Sequence, residues 1–244
     1  MKLLSRLSRK ASRLVSILAM QNLYGSSLGW EKLAKSPKIA SGSVFGDIKQ
    51  SLPWFTYPAI AQLMRMSLHG QTLLEYGCGS STAFFVEQGC RVQSIEDNSD
   101  WANLVNQQIM GGGQVCVKSV DLNYVQTAEQ LAMINPSIII VDGVKRKECC
   151  SEIKTYLESF PESRNLWMVI LDNSDWLGAS YSILDSCDNL VAFDYYGHGP
   201  YNTYSWCTTL FLRPDLSNLR KVMQERGNAK PMRNGLVDNF SESI

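Results

Sequence analysis

The stretch TLLEYGCGSST brings together residue types that can bind and orient a ligand. An apolar run leads into Gly77 and Gly79, and Ser81 and Thr82 follow directly. A strand that ends in Gly-x-Gly turns tightly and lets a ligand approach its backbone. Glu96 comes nineteen residues after Gly77, where a carboxylate at the end of a second strand can accept hydrogen bonds from both hydroxyls of a ribose. This spacing predicts a ligand that contains a nucleoside.

Carboxylates follow the other apolar runs as well. The predicted strand ends carry Glu75, Glu96, Asp121, Asp142 and Asp172. In a parallel sheet these ends meet at one edge, where ligands bind, so the acids would line a single pocket. Such a pocket is hostile to phosphates and suits a cationic ligand with hydroxyl and amino groups.

Apolar runs of strand length alternate with helical patterns along most of the chain. The predicted strands are Thr72–Tyr76, Arg91–Glu96, Val115–Val120, Ser137–Val141, Leu166–Leu171, Leu190–Tyr196 and Ser205–Leu212. This alternation indicates an α/β fold with a doubly wound parallel sheet. Only the short loop GHGPYNTY separates the last two runs, so those strands must be antiparallel. We predict a Rossmann-like sheet of seven strands, mostly parallel, that ends in an antiparallel hairpin.

Two other kinds of protein would use a similar pattern. An NAD-dependent oxidoreductase also places a glycine-rich turn before a ribose-binding acid. Against it, Thr82 stands where the third glycine is expected, Glu75 would repel a pyrophosphate, and a terminal hairpin is foreign to dinucleotide folds. A nucleoside-binding module without catalysis is the alternative outside the enzymes.

The ordered set LLEYGCGSST, VQSIED, IIIVDG and VILDN, followed by the hairpin, resembles the class I S-adenosylmethionine-dependent methyltransferases over about residues 50–213. The resemblance implies S-adenosylmethionine as the cofactor. It implies that Glu75, Gly77 and Gly79 surround the methionine part of the cofactor, and that Ser81 and Thr82 bind its carboxylate at a helix N-terminus.

By the same resemblance, Glu96 holds the ribose hydroxyls, Asp121 meets the adenine amino group, and Trp101 packs nearby. Aminopropyl transfer on this fold is a close alternative, but the acidic motif expected for it after the fourth strand is absent, since VDGVK stands there.

An oxygen or nitrogen acceptor of a methyl group must be positioned and must lose a proton, either to a general base or with the help of a metal ion. Asp142, with Asp172 and Asn173, resembles the trio that binds a divalent cation in catechol- and caffeoyl-type O-methyltransferases. Mg²⁺ is therefore an option, although not the favoured one. His198 lies in the aromatic loop YYGHGPYNTYSW and can act as a base near neutral pH. We predict Asp142 and His198 as catalytic residues and leave the metal ligands open.

Two further segments bear on the acceptor. Lys145 and Arg146 follow the fourth strand, where they would receive an anionic acceptor or form an ordinary solvated pair. The aromatic segment 53–58 would form a lid over the pocket.

Composition limits the partners. The chain has 244 residues, of which 45% are hydrophobic and 19% charged, and its formal net charge is zero. Because nucleic-acid binding requires a basic surface, we expect a small-molecule or glycan-like acceptor and no nucleic acid. The seven cysteines form no CxxC pair, which favours reduced thiols and a cytoplasmic location.

The N-terminal segment is basic and amphipathic. Its first acidic residue is Glu31. Residues 1–20 would form a helix that contacts a membrane surface peripherally, serves as a targeting peptide, or packs on its own domain. We divide the chain into this segment at 1–35, a methyltransferase-like domain at 36–213, and a polar tail at 214–244.

Overall fold

The computed structural model describes residues 52–109, 113–117, 123–160, 165–200 and 204–213. The strands of these residues are β1 Thr72–Tyr76, β2 Arg91–Glu96, β3 Gly113–Val117, β4 Ile138–Val141, β5 Met168–Asp172, β6 Val191–Gly197 and β7 Trp206–Leu212. The helices are α1 Tyr57–Leu63, α2 Ser80–Glu87, α3 Ser99–Gln108, α4 Ala128–Ile134, α5 Arg146–Ser159 and α6 Gly178–Asp185.

The strands form one seven-stranded sheet in the order β3-β2-β1-β4-β5-β7-β6. Strands β1 to β5 pair in parallel, whereas β7 is antiparallel to both β5 and β6. The predicted fold, a mostly parallel sheet with a terminal antiparallel hairpin, is confirmed. Because β6 runs in the same direction as β5, the loop after β6 leaves the sheet at the edge where β1, β4 and β5 also end.

Two apolar clusters cover the two faces of the sheet. Ile60 of α1 and Phe84 of α2 pack on one face, and Ile153 of α5 and Leu184 of α6 pack on the other. Strand β4, with the sequence IIIV, is buried along its whole length, as a strand between two helical layers must be. Burial of branched side chains on both faces stabilises the centre of the sheet, from which the functional loops project.

Most predicted boundaries agree with the structure within two residues, and β1 and β2 agree at both ends. Helix α4 begins after Thr127, whose hydroxyl accepts a hydrogen bond from the N–H of Gln130 in a capping box. Strand β3 begins at Gly113, two residues before its predicted start at Val115.

Several predictions lie outside the described residues. They are the end of the third strand, the adenine contact of Asp121, the basic helix at 1–20, the segment 1–35 and the tail 214–244. Among the residues that are described, no helix is long and apolar enough to cross a membrane.

The turns after β1 and β4 lie backbone to backbone. Gly77 has φ +87°, a conformation that favours glycine, and a Cβ placed on it would lie 2.9 Å from the Gly143 backbone. A Cβ on Gly143 would lie 2.7 Å from the Gly77 nitrogen and would overlap the hydroxyl of buried Tyr124. Both glycines are therefore required by the packing of the protein itself.

We expect Gly143→Ala to lower the free energy of unfolding by about 2 kcal/mol or more, because its methyl group meets backbone and a buried ring that cannot move aside. Gly178→Ala is the matched control, since a Cβ there meets nothing within 4 Å. Urea unfolding measures both variants. Equal stabilities for the two would show that the turns are not packed as described.

Candidate functional site

The site lies where the connections of the sheet change direction. Strand β1 pairs with β2 on one side and with β4 on the other, so the chain winds outward both ways from this point. Open α/β sheets bind ligands in the crevice beyond the carboxyl ends of such strands. Gly77 and Gly143, whose turns touch each other, lie at this crevice.

Glu75 is enclosed by hydroxyl groups. Its side chain is fully buried. The hydroxyls of Ser81, of Thr82 at 2.6 Å and of Ser94 at 2.5 Å donate to its carboxylate. The Thr82 hydroxyl also accepts a hydrogen bond from the N–H of Gly79 at 3.0 Å. This network ties the start of α2 and the neighbouring strand β2 to the end of β1.

The predicted cofactor contacts of Glu75, Ser81 and Thr82 stay predictions. The structure shows that their side chains hydrogen-bond to one another and, through Thr82, to the glycine turn. Burial raises the pKa of Glu75 to about 7, although the hydroxyl donors lower it. With this pKa the Glu75 side chain is about half ionised near neutral pH.

Glu96 holds the turn after β1 from the other side. Its Oε2 accepts a hydrogen bond from the N–H of Cys78 at 3.1 Å, and its Oε1 accepts from the N–H groups of Asp97 and Asn98. Burial raises the pKa of Glu96, and the N–H donors oppose that shift. A carboxylate has about four acceptor positions, so it can still accept a hydrogen bond from a ligand.

Trp101 packs on the same turn. Its indole N–H donates to the carbonyl oxygen of Cys78 at 2.7 Å, and its ring would contact a Cβ on Gly79 at 3.5 Å. The tryptophan therefore forms a wall beside the glycine turn, and its predicted place near the adenine stays a prediction.

Asp142 is paired with Arg146. Its Oδ1 lies 3.1 Å from Nη2 of Arg146 in an ion pair, and a quarter of the Asp142 side chain is exposed. Burial raises the pKa of Asp142, and the guanidinium lowers it. The aspartate follows β4 and precedes Gly143, so it borders the crevice next to the glycine turn.

The trio Asp142, Asp172 and Asn173 does not fit a metal ion. The Arg146 guanidinium lies among them and donates to the carbonyl oxygen of Asp172 at 2.8 Å and to Oδ1 of Asn173 at 3.1 Å. Oδ1 of Asp172 instead accepts hydrogen bonds from the Trp206 indole at 3.0 Å and from a threonine hydroxyl of β7. In the part of the chain that the structure describes, no three histidine, cysteine or acidic residues form a group that could hold a metal.

Asp172 anchors the terminal hairpin to the segment before α1. The hydroxyl of Thr208 donates to Asp172 and accepts from the N–H of Thr56 at 3.0 Å. The Thr56 hydroxyl in turn donates to the carbonyl oxygen of Tyr195 at 2.8 Å. Phe55 and Thr56 are fully buried, so the segment 53–58, predicted as a lid, contains a wall fixed to the sheet. Burial and the neighbouring Asp142 raise the pKa of Asp172.

His198 follows β6 at the same edge of the sheet. Its carbonyl oxygen accepts a hydrogen bond from the N–H of Tyr57 at 2.7 Å. Three strand spacings separate β6 from β4, which is about 14 Å at the usual spacing. The structure therefore does not bring His198 and Asp142 together as a pair that acts on one proton.

A cleft of about 470 Å³ opens beside Arg146, between the starts of α5 and α6. Its lining includes the exposed cations Lys145 and Lys147, the acid Glu148 and the ring of Trp176. The Trp176 ring is 57% exposed, enough to meet a ligand. It contacts Tyr204, which contacts the buried Trp206, with ring centroids 5.5 and 5.7 Å apart. An aromatic row thus runs from the cleft to the indole that binds Asp172.

Sequence patterns alone missed Ser94 and Trp176, and they gave Arg146 a different role. Ser94 lies opposite Glu75 in the β1–β2 register, and an acid within a buried strand requires such a polar neighbour. Arg146, expected to receive an anionic acceptor or to form a solvated pair, pairs instead with Asp142, four residues earlier in the loop after β4. Trp176 carries no comparable sequence signal.

Comparisons with known proteins give structural neighbours only. No family model and no curated protein matches the chain. An O-methyltransferase from Bacillus cereus, solved in complex with SAH, matches with a TM-score of 0.48 and 12% identity, over 82% of this chain and 97% of that one. A TehB-like SAM-dependent methyltransferase from Corynebacterium glutamicum matches with a TM-score of 0.41 and 13% identity, over 75% and 94%.

The neighbours differ in what they act on. The fibrillarin pre-rRNA processing protein of Methanococcus jannaschii also matches, with a TM-score of 0.43 and 9% identity, over 64% of this chain and 74% of that one. The proteins from Bacillus cereus and Corynebacterium glutamicum are methyltransferases, the class that the sequence motifs resemble. The expectation that the protein binds no nucleic acid stays a prediction.

We expect Glu75→Gln to weaken the pH dependence of stability. The unfolded chain releases the Glu75 proton near pH 4.5, and the folded protein retains it to about pH 7. The folded state therefore binds more protons between these values, and stability falls as the pH rises through them. For Glu75 this loss reaches about 3 kcal/mol.

Urea unfolding at pH 5 and pH 8 tests this prediction. The difference between the two pH values should shrink in Glu75→Gln and stay as in the wild type in Glu158→Gln, which removes an exposed acid. If Glu75→Gln keeps the pH dependence of stability seen in the wild type, the group that retains the proton in the folded state is not Glu75.

Proposed function

We propose that this protein is an S-adenosylmethionine-dependent methyltransferase. The supporting observation is the turn Gly77–Gly79 at the centre of the sheet, with the Glu96 carboxylate beside it and bonded to the N–H of Cys78 at 3.1 Å. A tight turn next to a carboxylate suits a nucleoside whose ribose hydroxyls need an acceptor. In this proposal Gly77, Gly79 and Glu96 contact the cofactor, and Trp101 borders it.

The packing of the turn argues against a pyrophosphate. Gly77 lies against the Gly143 backbone, and the Gly79 N–H donates to the Thr82 hydroxyl, so neither residue opens a phosphate-binding loop. Thr82 itself packs inside, where a dinucleotide fold has a third glycine. These contacts favour S-adenosylmethionine over NAD.

The acceptor enters from the cleft beside Arg146. Lys145 and Lys147 give this cleft two exposed cations against one acid, Glu148, and Trp176 offers a ring on which a sugar or planar group can stack. We propose a small-molecule or glycan-like acceptor that carries an anionic group and is methylated on oxygen. A cytoplasmic location, with peripheral membrane contact through residues 1–20, belongs to the same proposal.

Asp142 is the proposed general base. It borders the crevice next to the glycine turn, and its Oδ1 is fixed by Arg146 at 3.1 Å, which orients the carboxylate. A positioned base contributes to methyl transfer by taking the acceptor proton as the methyl group arrives. His198 lies beyond β7 from this point, so its proposed role is contact with the far end of the acceptor.

The cofactor proposal is tested by calorimetric titration with S-adenosylmethionine and, separately, with NADH. We expect micromolar affinity for S-adenosylmethionine, a loss of about tenfold or more in Glu96→Ala because the ribose loses its acceptor, and no loss in Asp97→Ala, whose side chain is exposed. Circular dichroism confirms that each variant is folded. Binding of NADH alone would replace this proposal with the oxidoreductase, and binding of neither would favour a module without catalysis.

The acceptor proposal is tested with methyl-labelled cofactor and pairs of hydroxylated compounds that differ only in a carboxylate or phosphate. We expect the anionic member to be methylated faster, with a raised KM in Lys145→Ala and an unchanged KM in Lys154→Ala, since Lys154 instead pairs with Glu158. Asp142→Asn should lower turnover by about 10² or more and keep the affinity for the cofactor. Faster methylation of the neutral compound of each pair would contradict the proposal that the acceptor binds in the cleft beside Arg146.

A further inference from the structure

The Arg146 guanidinium makes four hydrogen bonds and one ion pair within the protein. Nε donates to the carbonyl oxygen of Gly143 at 2.8 Å. Nη1 donates to Asp172 O and Asn173 Oδ1, and Nη2 donates to Asp142 O at 2.7 Å and pairs with Asp142 Oδ1 at 3.1 Å. A guanidinium carries five donors in a planar fork, and here each of its three nitrogens already has a partner within the protein.

These contacts join two loops of the site. Asp142 and Gly143 follow β4, whereas Asp172 and Asn173 follow β5. The guanidinium therefore bridges two neighbouring strand ends with a positive charge that is four-fifths buried. A divalent cation bound by oxygen ligands from the same two loops would make the same kind of bridge.

We propose that Arg146 takes the place of a divalent cation in this protein, so that the acceptor side of the site works without metal. The inference rests on the proposed function in one respect: the proposed function is what makes this edge of the sheet the acceptor side. A metal ion would have to displace a fixed positive charge and take oxygen lone pairs that already accept N–H donors. Asp172, the second carboxylate of the trio, directs Oδ1 to Trp206 and Thr208 of β7.

In this arrangement Arg146 is a positioning residue. It fixes the Asp142 carboxylate beside the glycine turn and keeps the loops after β4 and β5 at a constant separation. Because each nitrogen of its guanidinium already has a partner within the protein, we assign the contact with an anionic acceptor to Lys145 and Lys147 and not to Arg146.

The test is a titration of the full chain with Mn²⁺ alone, in which electron paramagnetic resonance measures the free ion. Wild type and Lys147→Ala, the adjacent cation on the same helix, should show no stoichiometric binding below about 1 mM. Arg146→Ala should bind Mn²⁺ at least about tenfold more tightly than wild type, because the Asp142 carboxylate and the facing oxygens lose their cation. Arg146→Lys should behave as wild type, since its ammonium remains in place.

Two results would overturn the proposal. One is stoichiometric Mn²⁺ binding by the wild type that disappears in Asp142→Asn. The other is an Arg146→Ala variant, folded by circular dichroism, that binds Mn²⁺ no better than wild type. If Arg146→Ala does not fold, the wild-type and Arg146→Lys titrations still decide, because Mn²⁺ binding by either one that is lost on Asp142→Asn contradicts the proposed replacement of the metal by Arg146. No cofactor is present, so failure here is separate from failure of the S-adenosylmethionine titration.

Discussion

The close approach of two turns governs this site. Where the turns after β1 and β4 meet, there is no room for a side chain, since a Cβ on Gly77 would lie 2.9 Å from Gly143. The backbone of the first turn is therefore fixed between Gly143 on one side and the Glu96 carboxylate on the other. This constraint places the Glu96 carboxylate and the acid after β4, Asp142, beside the same glycine turn.

Around that constraint the protein must accommodate acids in poorly solvated positions. Glu75, Asp142 and Asp172 end three adjacent strands, and burial raises the pKa of all three. Each is stabilised differently: hydroxyls surround Glu75, a guanidinium pairs with Asp142, and an indole and a threonine hydroxyl bind Asp172. Buried charges require such partners, and their concentration here indicates a site retained for function at a cost in stability.

The sequence carried enough information for the architecture and less for the direction of side chains. Alternating strands and helices, with a final loop too short for a crossover, correctly predicted the sheet and its hairpin. The position of Glu96 beside the glycine turn also followed from spacing. What spacing could not predict was that Glu75 points inward, because this depends on hydroxyls from α2 and from the opposite position in β2. The metal-like trio was misleading for the same reason, since only the folded structure brings Arg146 among its oxygens.

The dependence of Asp172 on the terminal hairpin links the site to the order of synthesis. Its carboxylate partners, Trp206 and Thr208, are made more than thirty residues later, and Thr208 also holds Thr56 from the beginning of the domain. A nascent chain that has emerged only through β5 has β5 at the edge of its sheet, and the Asp172 carboxylate lacks its partners from β7. This end of the sheet therefore acquires its final hydrogen bonds only after β7 leaves the ribosome.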